Sequence, residues 1–304
     1  MTWLVTGAGG MLGTDLVARL RARGHDVVAP ARGELDLCDA GAVRAAIRAH
    51  RPATVVNCAA WTAVDDAEAH EEEALALNGT AVAALAEACA GATLVQVSTD
   101  YVFDGTGAGG PYAEDGPTGP VNAYGRTKLA GERAVLETGR GYVVRTAWLY
   151  GAHGSNFVAT MARLAGERDT LHVVDDQVGQ PTWTGDLAEQ IIMLASSGAA
   201  PGVYHGTNAG RTTWHGLAQE VFGLLGQDPA RVLPTTSDRF PRPAARPAFS
   251  VLGHDRWAAA GLPPMRDWRE ALHAAWPTLG YGPPQDLGRR ATDPGAGLQS
   301  RSFV

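Results

Sequence analysis

The chain has 304 residues, of which 45% are hydrophobic and 19% charged, and its formal net charge is −7. This length suits one large α/β domain with a smaller second lobe. The acidic balance argues against a nucleic-acid partner, which would require a basic face. The chain shows no leader-like segment and no long apolar run, so we expect a cytoplasmic protein with no membrane partner.

Three cysteines, Cys38, Cys58 and Cys89, are widely spaced and form no CxxC pair. This spacing argues against a disulfide framework and against a zinc site. We therefore expect buried, unreactive thiols and no metal.

Short apolar runs alternate with longer amphipathic stretches through the first half of the chain. Strands are predicted at 3–5, 26–29, 54–57, 93–97 and 142–144, and helices at 11–23, 40–50, 71–89 and 122–136. Apolar strands separated by helices are typical of a parallel sheet that is covered on both faces. Right-handed crossovers then favour the α/β class with a doubly wound parallel sheet, which we assign to residues 1–151.

The strand–helix rhythm weakens after about Trp148. Helices are predicted at 156–164, 186–195, 214–225 and 265–276, and prolines cluster between Pro229 and Pro247. We predict a smaller mixed α/β substrate lobe over 152–279, partly interleaved with the first domain. Residues 280–304 carry Pro, Gly and Arg without periodicity and are predicted to be a disordered tail.

A glycine-rich turn follows the first predicted strand and precedes the first predicted helix. Gly7, Gly10 and Gly13 are spaced three apart, and Met11 and Leu12 open the helix. A sharp turn, a close approach of pyrophosphate and tight helix packing each require a residue without a β-carbon. In this context the pattern predicts a dinucleotide-binding turn whose helix N-terminus faces the phosphates.

The residues after the second strand bear on the choice of cofactor. NAD sites usually place an acid at this strand end to hold the ribose 2′-hydroxyl, but none stands there. Arg32 is close by and could pair with a 2′-phosphate, which favours NADPH. Glu34 could serve an NADH ribose, so NADH stays possible.

Tyr124 and Lys128 form a Tyr-x-x-x-Lys pair on a predicted helix, where residues four apart share a face. A nearby ammonium stabilises a phenolate, so we expect Lys128 to lower the pKa of Tyr124. Thr99 follows the fourth strand, at the sheet edge where ligands bind. Its hydroxyl could hydrogen-bond a substrate carbonyl while Tyr124 acts as the proton donor.

Several longer stretches are specific when taken together. They are 57–65 (NCAAWTAVD), 98–105 (STDYVFDG), 124–132 (YGRTKLAGE), 145–151 (RTAWLYG), 156–157 (NF), 176–182 (DQVGQPT) and 246–252 (RPAFSVL). With the glycine turn, they resemble the extended short-chain dehydrogenase/reductases, a Rossmann-fold group, and within it the dTDP-4-dehydrorhamnose reductases. The resemblance covers about residues 2–278.

The resemblance implies NAD(P)H-dependent reduction of the C4 keto group of a dTDP-linked 4-keto-6-deoxy sugar, by a monomer or homodimer. It implies Thr99, Tyr124 and Lys128 as the catalytic set. Further cofactor contacts would be Asp36, Leu37, Ala59, Ala60 and Thr62, beside the glycine turn, Tyr124 and Lys128. The sugar would face Val64, Thr99, Asp100, Tyr124, Trp148 and Asn156, and Arg246 would meet the nucleotide diphosphate.

Two departures from the family pattern affect the finer assignment. Trp61 stands where many relatives carry Tyr or His, and 272–276 (LHAAW) offers no acid of the kind that bridges some dimers through a metal. Trp61 and 175–183 resemble the dTDP-dihydrostreptose synthase branch more closely. That branch reduces the same keto sugar while contracting its ring, in antibiotic-sugar biosynthesis.

Other functions on this scaffold remain open. A nucleotide-sugar epimerase or a 4,6-dehydratase would share the Thr-Tyr-Lys set, although a dehydratase usually carries a second acid where Tyr101 stands. A non-catalytic alternative is a regulatory subunit such as that of methionine adenosyltransferase, which would not need the complete set.

Overall fold

The computed structural model describes residues 1–107 and 109–281. Its strands are β1 (Thr2–Thr6), β2 (Asp26–Val28), β3 (Thr54–Asn57), β4 (Thr93–Thr99), β5 (Tyr142–Thr146), β6 (Leu149–Tyr150), β7 (Leu171–Val174), β8 (Val178–Gly179), β9 (Thr182–Trp183), β10 (Gly202–His205), β11 (Thr212–Thr213) and β12 (Val232–Thr235). Six of them form one parallel sheet in the order β10-β5-β4-β3-β1-β2.

The helices cover both faces of this sheet and build a second lobe. They are α1 (Met11–Ala22), α2 (Ala40–His50), α3 (Glu71–Leu75), α4 (Ala81–Ala88), α5 (Ala123–Glu137), α6 (Phe157–Glu167), α7 (Thr184–Ser197), α8 (Trp214–Leu224), α9 (Asp255–Ala259) and α10 (Trp268–Leu279). A π-helical turn, Ala76–Thr80, joins α3 to α4. Short 3₁₀ turns lie at Asp66–Glu68, Asp100–Val102, Pro229–Arg231 and Ser237–Arg239.

Successive residues of each sheet strand serve opposite cores, because side chains alternate across a strand. Leu4 and Val55 pack with α2, α4 and α5 on one face. Val5 and Val56 pack with α1 and α7 on the other face. Burial on both faces explains why these strands are apolar throughout, and the predicted α/β class with its doubly wound sheet is confirmed.

A second core lies in the later part of the chain. Helices α6, α8 and α10 pack around Met161, Leu217, Phe222 and Leu272. The parallel pair β7–β12 flanks this core, and the short pairs β6–β9 and β8–β11 lie beside it. This lobe borders the carboxyl ends of the sheet strands and contributes one wall of the site described below.

The chain returns from the second lobe to the first. Strand β10 pairs with β5 at the sheet edge, and α7 packs on α1, although both belong to the range 152–279. No helix among the described residues is long and apolar enough to span a membrane. Of the predicted tail, only residues 280 and 281 are among those that the structure describes.

Two expectations from the sequence were wrong in detail. Cys38 is exposed and Cys58 only partly buried, so Cys89 alone is a buried thiol. Cys38 lies in the turn after β2, where its amide donates to Asp36 Oδ1. The last helix begins at Trp268 rather than Met265, because Asp267 caps it by accepting a hydrogen bond from the Arg269 amide.

Candidate active site

A cavity of about 1610 Å³ opens at the carboxyl ends of β1, β3 and β4. The glycine turn, the loop after β3, the end of β4 and the start of α5 line it, and part of the second lobe closes it. This is the edge of a doubly wound sheet where ligands bind. Most residues that the sequence analysis selected lie on the wall of this one cavity.

The glycine turn has the geometry of a phosphate cradle. Gly7 has a φ of 66°, and its carbonyl accepts a 2.9 Å hydrogen bond from the Gly10 amide. A β-carbon on Gly7 would lie 2.5 Å from the Ala59 nitrogen, and one on Gly13 would lie 2.2 Å from the Gly7 oxygen. No side chain caps α1 at Gly10, so its first amides face the cavity without an internal partner.

The far end of the cavity is lined by Arg21, Arg32, Asp36 and Leu37. Two guanidinium groups at this end suit a phosphate. The Glu34 carboxylate instead closes its own turn, because Oε2 accepts a 2.7 Å hydrogen bond from the Ala31 amide. The geometry therefore favours a 2′-phosphorylated cofactor over one that needs an acid on its ribose.

The loop after β3 brings Ala59, Ala60, Thr62 and Val64 to the cavity wall. Asn57, at the end of β3, fixes the start of this loop. Its Oδ1 accepts hydrogen bonds from the Thr6 hydroxyl at 2.6 Å and the Ala59 amide at 3.1 Å, and its Nδ2 donates to Gln96. The buried amide thus ties the loop to the strands on both sides.

Asn78, in the π-helical turn, holds the same loop against α5. It is 1% exposed, and its side chain accepts from the Trp61 amide at 2.8 Å and donates to the Trp61 carbonyl at 3.1 Å. It also donates to the Thr127 hydroxyl at 3.1 Å. A π turn shifts the helical register locally, and such turns are frequent at functional sites.

Helix α5 carries Tyr124 and Lys128 to the cavity beside Thr99. Asn122 caps this helix by accepting a 2.8 Å hydrogen bond from the Gly125 amide. A β-carbon on Gly125 would lie 2.2 Å from the Tyr101 oxygen, so only glycine lets α5 approach the end of β4 this closely. The predicted catalytic set is therefore brought together on the same wall as the glycine turn.

The pKa of Tyr124 is raised, not lowered as the sequence analysis expected. Burial is the main cause, and the Asp100 charge adds to it. The group that opposes the shift is the Thr99 hydroxyl, by hydrogen bonding. The positive charge of Lys128 does not reverse this shift, and its Nζ donates a 2.7 Å hydrogen bond to the Val97 carbonyl. The phenol therefore stays protonated at neutral pH.

Lys128 is 4% exposed, and burial lowers its pKa to about 8. Glu132, one turn further along α5, opposes this shift by its negative charge. Glu132 is itself fully buried and forms a 2.7 Å ion pair with Arg145 on β5. The ammonium thus keeps its charge near neutral pH although it lies away from water.

Asp100 is buried next to Thr99, whose hydroxyl donates to its Oδ1 at 3.0 Å. Burial raises the pKa of Asp100 to about 6, while the Ser250 and Thr99 hydroxyls oppose the shift. Its Oδ2 has no hydrogen-bond partner among the described residues. That oxygen is also shut off from solvent, so its lack of a partner adds to the cost of burying the Asp100 charge.

Trp148 lines the main cavity, and Arg246 lines a smaller neighbouring cavity of about 200 Å³. The Arg246 guanidinium pairs with Asp65 at 3.0 Å. Asn156 does not line either cavity. Its side chain caps α6 through the Ala159 amide and donates to the Gly151 carbonyl, so it acts on the cavity through the loop it holds.

Several residues that line these cavities were not predicted from the sequence, namely Arg21, Tyr101, Thr146, Trp214 and Arg242. Arg21 lies on α1 about two helical turns after Gly13, and its place on the helix that follows the glycine turn could have suggested it. Trp214 follows a short strand in the second lobe, and no spacing in the sequence connects it with Trp148.

A model of the family described as "RmlD substrate binding domain" matches residues 1–279. A Streptomyces griseus protein named dTDP-4-dehydrorhamnose reductase is 60% identical over 285 residues, which are 91% of this chain and 93% of that protein. The chain belongs to the dTDP-4-dehydrorhamnose reductase family. This membership confirms the family predicted from the sequence motifs.

Two further relatives of the family illustrate its range. A Streptomyces niveus protein named dTDP-4-keto-6-deoxy-D-glucose reductase is 56% identical over 281 residues, covering 91% of this chain and 97% of its own length. The crystal structure of dTDP-4-dehydrorhamnose reductase from Bacillus anthracis, in complex with NADP, is similar with a TM-score of 0.87. It is 36% identical and covers 91% of this chain and 99% of that chain.

Proposed function

We propose that this protein is an NADPH-dependent reductase of the C4 keto group of a dTDP-4-keto-6-deoxyhexose. One observation carries the proposal: Thr99, Tyr124 and Lys128 lie on the wall of the same cavity as the glycine turn. Family membership supports it, since relatives 55–60% identical are named as reductases of such sugars.

The cofactor would lie along the cavity from Arg32 to Lys128. The free amides of α1 would hold its pyrophosphate, and Arg21 and Arg32 would pair with the 2′-phosphate. When bound, NADPH supplies the hydride. A relative solved with NADP supports this choice of cofactor.

Tyr124 is the proton donor to the carbonyl oxygen. Its raised pKa keeps the phenol protonated until negative charge develops on that oxygen. Thr99, at the end of β4, orients the phenol and the carbonyl. Lys128, fixed by Val97, presents its positive charge to the cofactor ribose. Placing these groups on a strand end and a capped helix keeps them rigid.

The substrate would extend from Trp148 toward Arg246. Val64, Asp100 and Trp148 would face the sugar, since all three line the main cavity. The Arg246 guanidinium would bind the diphosphate. The diphosphate would then replace Asp65 as the partner of Arg246, or share Arg246 with it. The smaller cavity, which contains Arg242 and Phe240, lies next along this path.

Trp61, which lines the main cavity, bears on the product of the reaction. We propose on this basis the branch that contracts the sugar ring in antibiotic-sugar biosynthesis. Ordinary reduction to a six-membered 6-deoxyhexose is the alternative. Because both reactions start from the same keto sugar, one incubation separates them.

The test is incubation of the purified protein with dTDP-4-keto-6-deoxy sugar and NADPH. Consumption of NADPH with an NMR spectrum of a C4-reduced product would support the proposal, and the ring size would settle the branch. Isomerised sugar without net NADPH consumption would instead indicate an epimerase. Failure to turn over, together with stable association with a second enzyme, would favour the regulatory alternative.

A further inference from the structure

The backbone and side chain of Trp148 are held in an unusual position beside the main cavity. Trp148 has a φ of 46°, in the left-handed region that residues with a β-carbon rarely adopt. It lies between β5 and β6, directly after the strand that ends near Thr99. Strained backbone of this kind persists only where the surroundings fix it, and it clusters at functional sites.

Two groups fix the indole of Trp148. The Trp214 ring stacks on it, with ring centroids 3.5 Å apart and planes 9° from parallel. Gly179 on β8 abuts the same indole, and a β-carbon there would lie 2.5 Å from Trp148 Cε2. Alanine at position 179 would therefore push Trp148 out of place.

Trp214 is itself anchored at the start of α8. Its Nε1 donates a 3.1 Å hydrogen bond to Gln177 Oε1, and Phe157 packs on its ring at a centroid distance of 4.7 Å. Thr213 caps the helix through the Gly216 amide. Contacts within the second lobe thus hold the Trp214 ring. Trp148, which stacks on it, comes directly after sheet strand β5 in the chain.

Trp214 also lies where the two cavities meet, because it lines both of them. The main cavity holds the catalytic groups, and the smaller cavity holds Arg246. We propose that Trp214 is a positioning residue for the substrate: its ring holds the Trp148 indole at the wall against which the sugar packs. This rests on the proposed function, since the sugar-nucleotide is the ligand in question.

A double-mutant cycle tests whether Trp214 acts through Trp148. The affinity of the keto sugar-nucleotide is measured by calorimetry for the wild type, W148A, W214A and the double variant. We expect each single variant to weaken binding about tenfold, as for loss of a stacked aromatic contact, and the double variant to be no weaker than W148A. Losses that multiply in the double variant, or wild-type affinity in W214A, would overturn the proposal.

Further variants separate positioning from folding. W214F, which keeps a ring in the stack, should restore affinity to within about threefold of the wild type. G179A should weaken sugar binding like W214A, because it displaces Trp148 from the other side. The exciton signal of the stacked indoles in circular dichroism should disappear in W214F and remain in W276F, whose indole pairs with Tyr281 outside the site. Persistence of that signal in W214F would contradict the stack.

The readouts also separate this proposal from the proposed function. Calorimetry reports binding whether or not the sugar is reduced, so a wild type that binds without turnover would contradict only the reductase assignment. In active protein, W214A should raise KM for the sugar and leave KM for NADPH unchanged. An equal rise in both would contradict a role confined to the sugar. A wild type that does not bind the sugar-nucleotide would overturn both proposals.

Discussion

The ammonium of Lys128 donates a 2.7 Å hydrogen bond to the carbonyl oxygen of Val97, two residues before Thr99. This contact ties α5 to β4, the strand that ends in Thr99. The Thr99 hydroxyl in turn lowers the pKa of Tyr124 by hydrogen bonding, against the larger effect of burial. Lys128 therefore helps to hold α5, which carries Tyr124, against the end of β4, as well as carrying a charge.

Replacing Tyr124 with Phe should reduce kcat by about 10² to 10⁴, because the variant keeps the ring but has no proton to donate. The free energy of unfolding should change little, since the apolar contacts remain. Steady-state kinetics and thermal unfolding measure the two effects. Tyr101→Phe is a matched control, because Tyr101 packs edge-to-face on Tyr124 without being assigned proton transfer. Turnover near the wild-type value in Tyr124→Phe would reject the proton-donor role.

Activity should decline as the pH rises through about 8, because Lys128 then loses its charge. The pKa of Lys128 is higher in the unfolded chain than in the folded one. Between these two pKa values the unfolded state therefore binds more protons, and Lys128 should make the free energy of unfolding rise with pH. If activity falls while the free energy of unfolding does not, the cause is the titration of Lys128 and not unfolding of the protein. The measurement is kcat against pH, with unfolding by urea at the same pH values. A Lys128→Arg variant, which stays charged, should lack this alkaline decline.

Arg32→Ala should raise KM for NADPH about ten- to hundredfold, as expected for loss of a charged hydrogen bond to phosphate. KM for NADH should stay within about twofold, because NADH lacks the 2′-phosphate. Arg21→Ala should act in the same direction, since Arg21 lines the same end of the cavity. An equal change for both cofactors, or a wild type that prefers NADH, would show that these guanidinium groups do not select the phosphate.

Glu132→Gln should destabilise the fold by about 3–5 kcal/mol, because it leaves the buried Arg145 charge without its partner. Glu71→Gln is the control: it breaks an ion pair with Arg126 in which both side chains are more than two-fifths exposed, and such a pair contributes at most about 1 kcal/mol. Urea unfolding compares the two variants. Similar losses in both would mean that burial does not decide the strength of the Glu132–Arg145 pair.

The sheet and most of the cavity could be predicted from the sequence because they follow local rules. Continuous apolar strands indicate burial on both faces, and the spacing of Gly7, Gly10 and Gly13 indicates the turn. The four-residue spacing places Tyr124 and Lys128 on one helical face. These patterns need no knowledge of distant contacts, so they could be interpreted before the fold was known.

The features that escaped prediction depend on contacts between distant parts of the chain. Strand β10 is a four-residue segment that pairs with β5, although α6, α7 and four short strands separate the two in the sequence. Trp214 reaches Trp148 from another lobe, and the Glu132–Arg145 pair joins a helix to a strand. The pKa direction of Tyr124 was wrong because helical spacing does not reveal how strongly burial acts on the phenol.

Asn78 hydrogen-bonds both the backbone of Trp61 and the hydroxyl of Thr127 from within a π-helical turn. Thr127 in turn donates to the carbonyl of Tyr124. One buried amide therefore holds both the loop after β3 and the first turn of α5, so a substitution at Asn78 would disturb two sides of the cleft at once.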